Sequence, residues 1–313
     1  MVAVGAAMST GFFILFIAPA CCALTAPPPH TVRLVPKLQA RDFQHPKDLE
    51  AARARKLLAP VESIVRRGFS SVEEGYLLDN IATGVLVGPN QLPEYHAMLV
   101  EACELLDLRD VPQLYIRQSA APNAYTLAVQ GRAPFVVLTT KLLDILEPLE
   151  VQAVIAHECG HLKCEHGLLI ALASIGSLLV PDALQGVAQS RLLSWQRAAE
   201  LSCDRAALMV VQDPRAVQGV VMKLTGGSPA TAGRMSVDAY LAQARTYDEV
   251  SRSSAVGRLV RRSQESDATH PLPILRARAI ERYASSAEYR RLLSRGRAKQ
   301  LNAAAELAAL SAL

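Results

Sequence analysis

Apolar and polar residues repeat with the spacing of α-helices over most of the chain. The segment Ser71–Val87 opens with serines and acidic residues and continues with apolar positions at helical spacing, which predicts a helix. Pro148 suits a first helical turn and Glu150 suits its positive end, which predicts a helix from Pro148 to about Glu165. The same spacing predicts helices over Leu92–Leu108 and Ser190–Gln212, and others that begin at Val237, Pro271 and Ser286.

A different pattern interrupts the helices in the middle of the chain. Three short runs rich in β-branched and aromatic residues cover Gln113–Arg117, Ala124–Val129 and Pro134–Thr139. Gly131 and Pro134 punctuate them, as is typical of strands joined by turns. The sequence therefore predicts a mainly α (α+β) fold with a small three-stranded sheet.

The segment Leu168–Val180 is apolar on nearly every side. A helix needs about 20 apolar residues to cross a bilayer, and this segment is shorter. Two interpretations remain open: a helix buried in the fold, which we favour, or a hairpin that gives the protein a peripheral contact with a membrane.

The N-terminal region has the pattern of a targeting segment. Met1–Val32 contains no Lys, Arg, Asp or Glu, and Phe12–Leu24 is a short apolar run interrupted by Pro19. Such a run resembles the apolar part of a signal sequence, and the basic bias of Pro27–Leu58 suits import into a plastid. We expect a plastid protein that is associated with a membrane, with the secretory pathway as the alternative.

These patterns predict three regions. Residues 1–40 form a leader, residues 41–285 form the folded domain, and residues 286–313 form an Ala-rich helical tail.

The composition of the chain excludes two classes of protein. The formal net charge of +4 comes from scattered charges, which makes nucleic acid a poor partner. The six cysteines do not form a secreted disulfide pattern, since four lie within helical segments and two lie in the apolar leader.

The motif His157-Glu158-Cys159-Gly160-His161 carries the candidate chemistry. Two histidines four residues apart lie on one face of a helix, so both imidazoles can reach a single Zn²⁺ ion. Glu158 follows the first histidine and can take a proton from the attacking water as a general base. The motif therefore predicts a metallopeptidase, provided that a third ligand exists.

Glu200 is the best candidate for that third ligand. It lies on a later helix four residues before Asp204, so Glu200 can complete a site of two histidines and one glutamate while Asp204 orients a ligand histidine from behind. His166 lies five residues after His161, which is roughly 140° away around a continuous helix. We therefore do not expect His166 to bind the metal.

Several separate stretches resemble one known family. They are DFQHPKD at 42–48, LYIRQSAAPNAYTLAV at 114–129, AVIAHECGHLKCEHG at 153–167, RAAELSCDRAAL at 197–208 and HPLPILRAR at 270–278. In this order they resemble the zinc metallopeptidases that include the CAAX prenyl proteases and the HtpX-type proteases, and most of all the plastid and cyanobacterial branch of that family. The resemblance spans Asp42–Tyr283.

The resemblance implies a zincin-like or gluzincin-like fold and one Zn²⁺ per chain. It also implies a metalloendopeptidase that cleaves protein substrates in plastid protein turnover or quality control. By the same resemblance Asn123 and His270 are catalytic residues beside the metal, where each would contact substrate or the developing oxyanion. The alternatives are a turn residue after Pro122 for Asn123 and a helix cap before Pro271 for His270.

Two further expectations concern how the protein acts. An extended substrate could pair with an edge strand of the predicted sheet, for which Phe135–Leu138 is the candidate. The alternative to an enzyme is an inactive or scaffold-like member of the same family. The presence of Glu158 argues against that alternative, because a purely structural metal site needs no base.

Overall fold

A computed structural model describes residues 37–55, 74–128, 133–177, 180–266 and 269–296. All of them belong to the unit Val32–Leu313. The predicted leader at 1–40 lies almost wholly outside the described residues, as does most of the predicted tail at 286–313. The boundaries of the folded domain at 41–285 therefore remain predictions.

Helices make up most of the described chain, so the mainly α prediction is confirmed. Helix α6 keeps the predicted start at Pro148, with Glu147 and Glu150 in a capping box at its positive end. The helices are α1 Ala40–Phe43, α2 Pro46–Arg55, α3 74–83, α4 Pro93–Leu105, α5 Thr140–Leu143, α6 Pro148–Lys163, α7 His166–Ser177, α8 Asp182–Val211, α9 Pro214–Gly226, α10 Val237–Ser253, α11 Ala255–Ser266, α12 Pro273–Ala284 and α13 287–296.

The sheet contains four described strands rather than the three that were predicted. They are β1 Gly84–Val87, β2 Gln113–Arg117, β3 Ala124–Leu127 and β4 Phe135–Thr139, and their order across the sheet is β1-β2-β4-β3. The β2–β4 pair is parallel and the other two pairs are antiparallel.

Besides the number of strands, two expectations about this region are wrong. The helix predicted over Ser71–Val87 ends at residue 83, because the residues from Gly84 to Val87 pair with β2 instead. β-Branched residues fit a strand as well as a helical pattern, and pairing with a neighbouring strand then decides which structure forms. The second error concerns Phe135–Leu138, which lies in β4 between β2 and β3, with all four residues fully buried. The edge strand beside helix α6 is β3.

Helices α6 and α8 pack closely enough for their backbones to approach each other. A Cβ atom on Gly160 of α6 would lie 3.0 Å from Cβ of Ala206 and 3.3 Å from Cα of Cys203 on α8. Only glycine fits this approach without a shift, and the apolar residues around it are buried in the main core. The glycine of the histidine motif thus fixes the distance between the two helices that carry the predicted site.

Helix α6 stops shortly after its second histidine. Glu165 adopts a left-handed backbone conformation with φ of 54°, and α7 starts in a new direction at His166. Helix α7 contains most of the apolar segment Leu168–Val180, and its Leu169 and Leu172 are buried in the fold while Ile170 is exposed. Among the described residues no helix is long and apolar enough to cross a membrane.

Candidate active site

His157, His161 and Glu200 meet in a cavity between α6 and α8. The two histidines lie one turn apart on α6, and their Nε2 atoms are 3.2 Å apart. The carboxylate of Glu200 on α8 places Oε2 3.5 Å from Nε2 of His157 and Oε1 3.4 Å from Nε2 of His161. The structure therefore brings the three predicted metal ligands together from positions about 40 residues apart in the chain.

The spacing of these atoms fits a zinc ion. Tetrahedral coordination with bonds of about 2.0–2.1 Å separates neighbouring ligand atoms by about 3.3 Å. The observed separations of 3.2, 3.4 and 3.5 Å lie around that value. Two imidazoles and one carboxylate also form a ligand set found in catalytic zinc sites, which leave the fourth position open for water or substrate.

Asp204 holds the back of His157. Its Oδ1 lies 3.2 Å from Nδ1 of His157, on the side of the ring opposite the metal position. Arg276 of α12 binds both oxygens of Asp204, at 2.9 and 2.6 Å. Burial by itself would raise the pKa of Asp204, but the charge of Arg276 and hydrogen bonds from His157 and Arg276 lower it to about 2. Asp204 is thus an anion in contact with His157, a position from which it can orient that ring.

A second chain of contacts holds the back of His161. Nδ1 of His161 lies 3.0 Å from Nδ1 of His166, and Nε2 of His166 lies 3.1 Å from Oδ2 of Asp48 on α2. A metal at Nε2 of His161 would use the lone pair of that atom, so Nδ1 would carry the ring proton and donate a hydrogen bond to Nδ1 of His166. Nε2 of His166 then donates to the Asp48 carboxylate, so one proton arrangement satisfies the whole chain.

Asp48 is itself fixed from several sides. Its fully buried carboxylate accepts hydrogen bonds from Ser202 Oγ at 2.7 Å and Trp195 Nε1 at 3.0 Å on α8. Gln44 Nε2 donates a further bond at 3.2 Å. No pattern in the sequence predicted this position of Asp48, although the residue ends the DFQHPKD stretch at 42–48. The contact of His166 with His161 was not predicted either, because His166 had been weighed only as a metal ligand.

Cysteines near the histidines offer two other donor groupings. The sulfur of Cys203 and ring nitrogens of His157 and His161 lie within 4.8 Å of one another. Burial raises the pKa of the Cys203 thiol well above its usual range. Glu200 is the better ligand because its carboxylate oxygens lie 3.5 and 3.4 Å from Nε2 of His157 and of His161. The second grouping consists of Asp48, Cys164 and His166. Both carboxylate oxygens of Asp48 already accept hydrogen bonds from His166, Trp195 and Ser202, so this grouping is the poorer metal site.

Glu158 lines the same cavity and is buried. Burial raises its pKa, and the positive charge of the neighbouring histidines opposes this only in part. A glutamate whose pKa is raised toward neutrality is a better proton acceptor and donor near pH 7 than an ordinary surface glutamate. This environment suits the role of general base.

His270 and Asn123 both line the cavity that holds the predicted metal ligands. Nε2 of the exposed His270 is 3.4 Å from Oε1 of Glu200, next to the metal position. Asn123 lines the cavity at the start of β3, while its backbone is held by Thr139 of β4. The cavity has a volume of about 400 Å³, and aliphatic residues of α9 form a further part of its lining, namely Val217, Val220, Val221 and Leu224.

A histidine pair on one helix, a glutamate on a second helix and a buried glutamate beside the first histidine define the class of zincin-like metallopeptidases. The comparison with known proteins gives the family. The model of peptidase family M48 matches residues 89–284, and the chain belongs to that family. The resemblance seen in the sequence is therefore confirmed, and the protein is a metallopeptidase. Asp48 lies outside the matched segment.

Curated relatives support this placement. The chain is 47% identical over 269 residues to the "Plastoglobule-localized metallopeptidase 48, chloroplastic" of Arabidopsis thaliana, which covers 84% of this chain and 78% of the relative. It is 26% identical over 171 residues to "Protease HtpX homolog 2" of Methanosarcina mazei, over 45% of this chain and 58% of the relative. "Protease HtpX homolog" of Acaryochloris marina is 26% identical over 200 residues, which cover 50% of this chain and 68% of that protein. No solved structure gives a significant match.

Proposed function

We propose that this metallopeptidase is a zinc endopeptidase whose ion is held by His157, His161 and Glu200. The observation that carries the proposal is the mutual spacing of the three side chains at 3.2–3.5 Å, with Glu158 in the same cavity. Zinc bound there polarises the scissile carbonyl and lowers the pKa of a water toward neutrality.

The protein's own side chains supply the rest of the chemistry. Glu158 accepts a proton from the attacking water and returns it to the leaving amine, for which its raised pKa is suited. Asp204, with Arg276 behind it, keeps Nε2 of His157 turned toward the ion. Asp48 does the same for His161 through His166. The two ligand histidines are thus oriented by two independent carboxylates.

We propose that the substrate binds along β3. This strand is at the edge of the sheet, and its residues from Ala124 to Thr126 line the cavity together with the metal ligands. An extended peptide can pair with the free side of such a strand through main-chain hydrogen bonds. Asn123 and His270 then lie beside the scissile bond as donors to the developing oxyanion, where one donor contributes roughly 3–4 kcal/mol.

The compartment of the protein follows from two agreeing observations. The leader pattern predicted over residues 1–40 suits plastid import, and the name of the Arabidopsis relative places that protein in the chloroplast and at plastoglobules. We propose that this chain works in a plastid on protein substrates and takes part in protein turnover or quality control there.

Substitution of the general base tests the proposal. Glu158→Gln should retain one zinc per chain but lose about 10²–10⁴-fold of its activity on an unstructured protein such as casein. Glu200→Ala should lose bound zinc, measured by elemental analysis. Glu104→Gln, at an exposed position of α4 outside the cavity lining, is the matched control and should behave like the wild type. A fully active Glu158→Gln variant, or wild-type cleavage that survives a strong chelator, would contradict the proposal.

A further inference from the structure

Helix α11 has its apolar face turned toward solvent. Val256, Leu259 and Val260 are spaced three and four residues apart and so form one stripe of the helix. Their exposed fractions are 70%, 68% and 48%. A helix on the surface of a soluble domain normally turns such a stripe toward the core, so the arrangement is the reverse of the usual one.

The polar stripe of α11 faces the protein instead. Arg261 donates to Asp248 of α10 at 2.8 Å and to Glu265 at 2.9 Å, and its guanidinium lies over the ring of Tyr247 at 5.7 Å. Arg258 donates to the main-chain oxygen of Arg252 at 3.0 Å. These contacts hold the polar side of α11 against the preceding helix.

Close backbone packing fixes this orientation. A Cβ atom on Gly257 would lie 2.7 Å from the main-chain oxygen of Val250 and 3.1 Å from that of Ser251. Because Gly257 has no side chain, α11 packs directly against the backbone at the C-terminal end of α10. The helix cannot roll to bury Val256 and Leu259 without breaking the contacts of Arg261.

Positive charge borders the exposed stripe. The exposed charged residues around the junction of α10 and α11 are mostly basic. They are Arg252, Arg258 and Arg262, against one exposed acidic residue, Glu249. A helix with an aliphatic stripe bordered by arginines is complementary to a lipid surface with anionic headgroups. The aliphatic side chains enter the acyl region, and the arginines bind the phosphates of the headgroups.

We propose that the exposed face of α11 docks the protein on an anionic lipid surface. The contact is assigned to a different element from the predicted Leu168–Val180, whose Leu169 and Leu172 are buried in the fold. The proposal does not depend on the peptidase mechanism.

Vesicle binding of the full chain tests the docking face. The triple variant Val256→Ser/Leu259→Ser/Val260→Ser should bind vesicles of phosphatidylcholine with about 30% phosphatidylglycerol at least about tenfold more weakly than the wild type in a flotation assay. The matched control is Leu184→Ser/Val187→Ser on α8, whose side chains are 55% and 54% exposed. This control should bind within about twofold of the wild type. Cleavage of casein in solution should be unchanged in both variants.

A second measurement reports on α11 itself and so separates it from any other lipid-binding part of the chain. The protein contains one tryptophan, so Leu259→Trp adds a single new fluorophore on the stripe. Brominated lipids should quench that tryptophan on anionic vesicles, while the tryptophan of Leu184→Trp should be unaffected.

Three results would overturn the proposal. The first is wild-type vesicle binding by the triple variant, and the second is a Leu259→Trp signal that brominated lipids do not quench. The third is a wild-type protein that dimerises in solution and becomes monomeric in the triple variant without any change in lipid binding. That result would assign the face to a second copy of this chain.

Discussion

Asp48→Asn tests how far the site depends on the buried carboxylate behind His161. The substitution keeps the shape of the side chain but removes its charge and turns one acceptor oxygen into a donor. Oδ2 of Asp48 accepts from His166, Ser202 and Gln44, and Oδ1 accepts from Trp195. Whichever way the amide is turned, at least one of these buried donors then faces an N–H group.

The structure sets the expected magnitude. A hydrogen bond to a charged group is worth about 1.5–3 kcal/mol, so the metal-free protein should lose stability in that range. Substitution of residues that hold a ligand histidine from behind costs about 10–100-fold in metal affinity, which corresponds to about 1.4–2.7 kcal/mol. Because His166 transmits the effect to His161, zinc affinity should fall as well as stability.

Two assays separate these effects. Competition with a chromophoric chelator measures zinc affinity, and urea unfolding of the zinc-free protein measures stability. Asp238→Asn is the control, since Asp238 pairs with Arg215 at an exposed position on α10 and should change neither quantity. The variant His166→Gln should lose similar zinc affinity, and the double variant Asp48→Asn/His166→Gln should lose little more, because both substitutions break one chain.

An unchanged zinc affinity in Asp48→Asn would refute this reasoning, even if stability fell. Additive losses in the double variant would also refute it, since they would mean that Asp48 and His166 act separately. A loss of stability alone would leave Asp48 as an anchor of α2 with no role in orienting the metal ligand.

Two further predictions follow from the packing and charge of the same region. Gly160→Ala should lower the free energy of unfolding by about 1–3 kcal/mol in urea and weaken zinc binding. The reason is that the added Cβ would lie 3.0 Å from Cβ of Ala206 and push α6 away from α8. Unchanged stability and zinc affinity would contradict the tight contact. Burial alone would raise the pKa of Asp48, but hydrogen bonds and charge from His166, with further bonds from Ser202 and Trp195, lower it. Its stabilisation is therefore present above its unfolded-state pKa of about 4 and is lost as pH falls through the lower folded-state value. The stability difference between the wild type and Asp48→Asn in the zinc-free state should accordingly shrink below about pH 4, and a difference that stays constant down to pH 2 would contradict this assignment.

The sequence predicted the parts of the site that depend on local geometry. Residues four apart on a helix share a face whatever the rest of the fold does, so His157 and His161 could be paired with no knowledge of the tertiary structure. Glu200 and Asp204 follow the same rule on α8. That the two helices meet could not be derived from periodicity, and the requirement for a third ligand supplied that step.

The errors lie where pairing between distant segments decides the structure. The residues from Gly84 to Val87 fit a helical pattern, yet they pair with β2 some 30 residues later in the chain. The position of β4 inside the sheet depends on its parallel pairing with β2, which no pattern within Phe135–Leu138 expresses. For the same reason the inverted orientation of α11 could not be predicted, since the sequence shows two stripes but not which stripe meets α10.

His166 shows most clearly why the outer contacts of the site were missed. On a continuous helix it would point about 140° away from His161. The left-handed conformation of Glu165 ends α6 first, and α7 then carries His166 to the back of the His161 ring. Asp48 reaches that position only because α2 packs on α8, where Ser202, 154 residues later in the chain, binds the same carboxylate. The predicted metal ligands thus follow from helical spacing and the need for a third ligand, whereas the groups behind His161 depend on one helix break and one long-range packing contact.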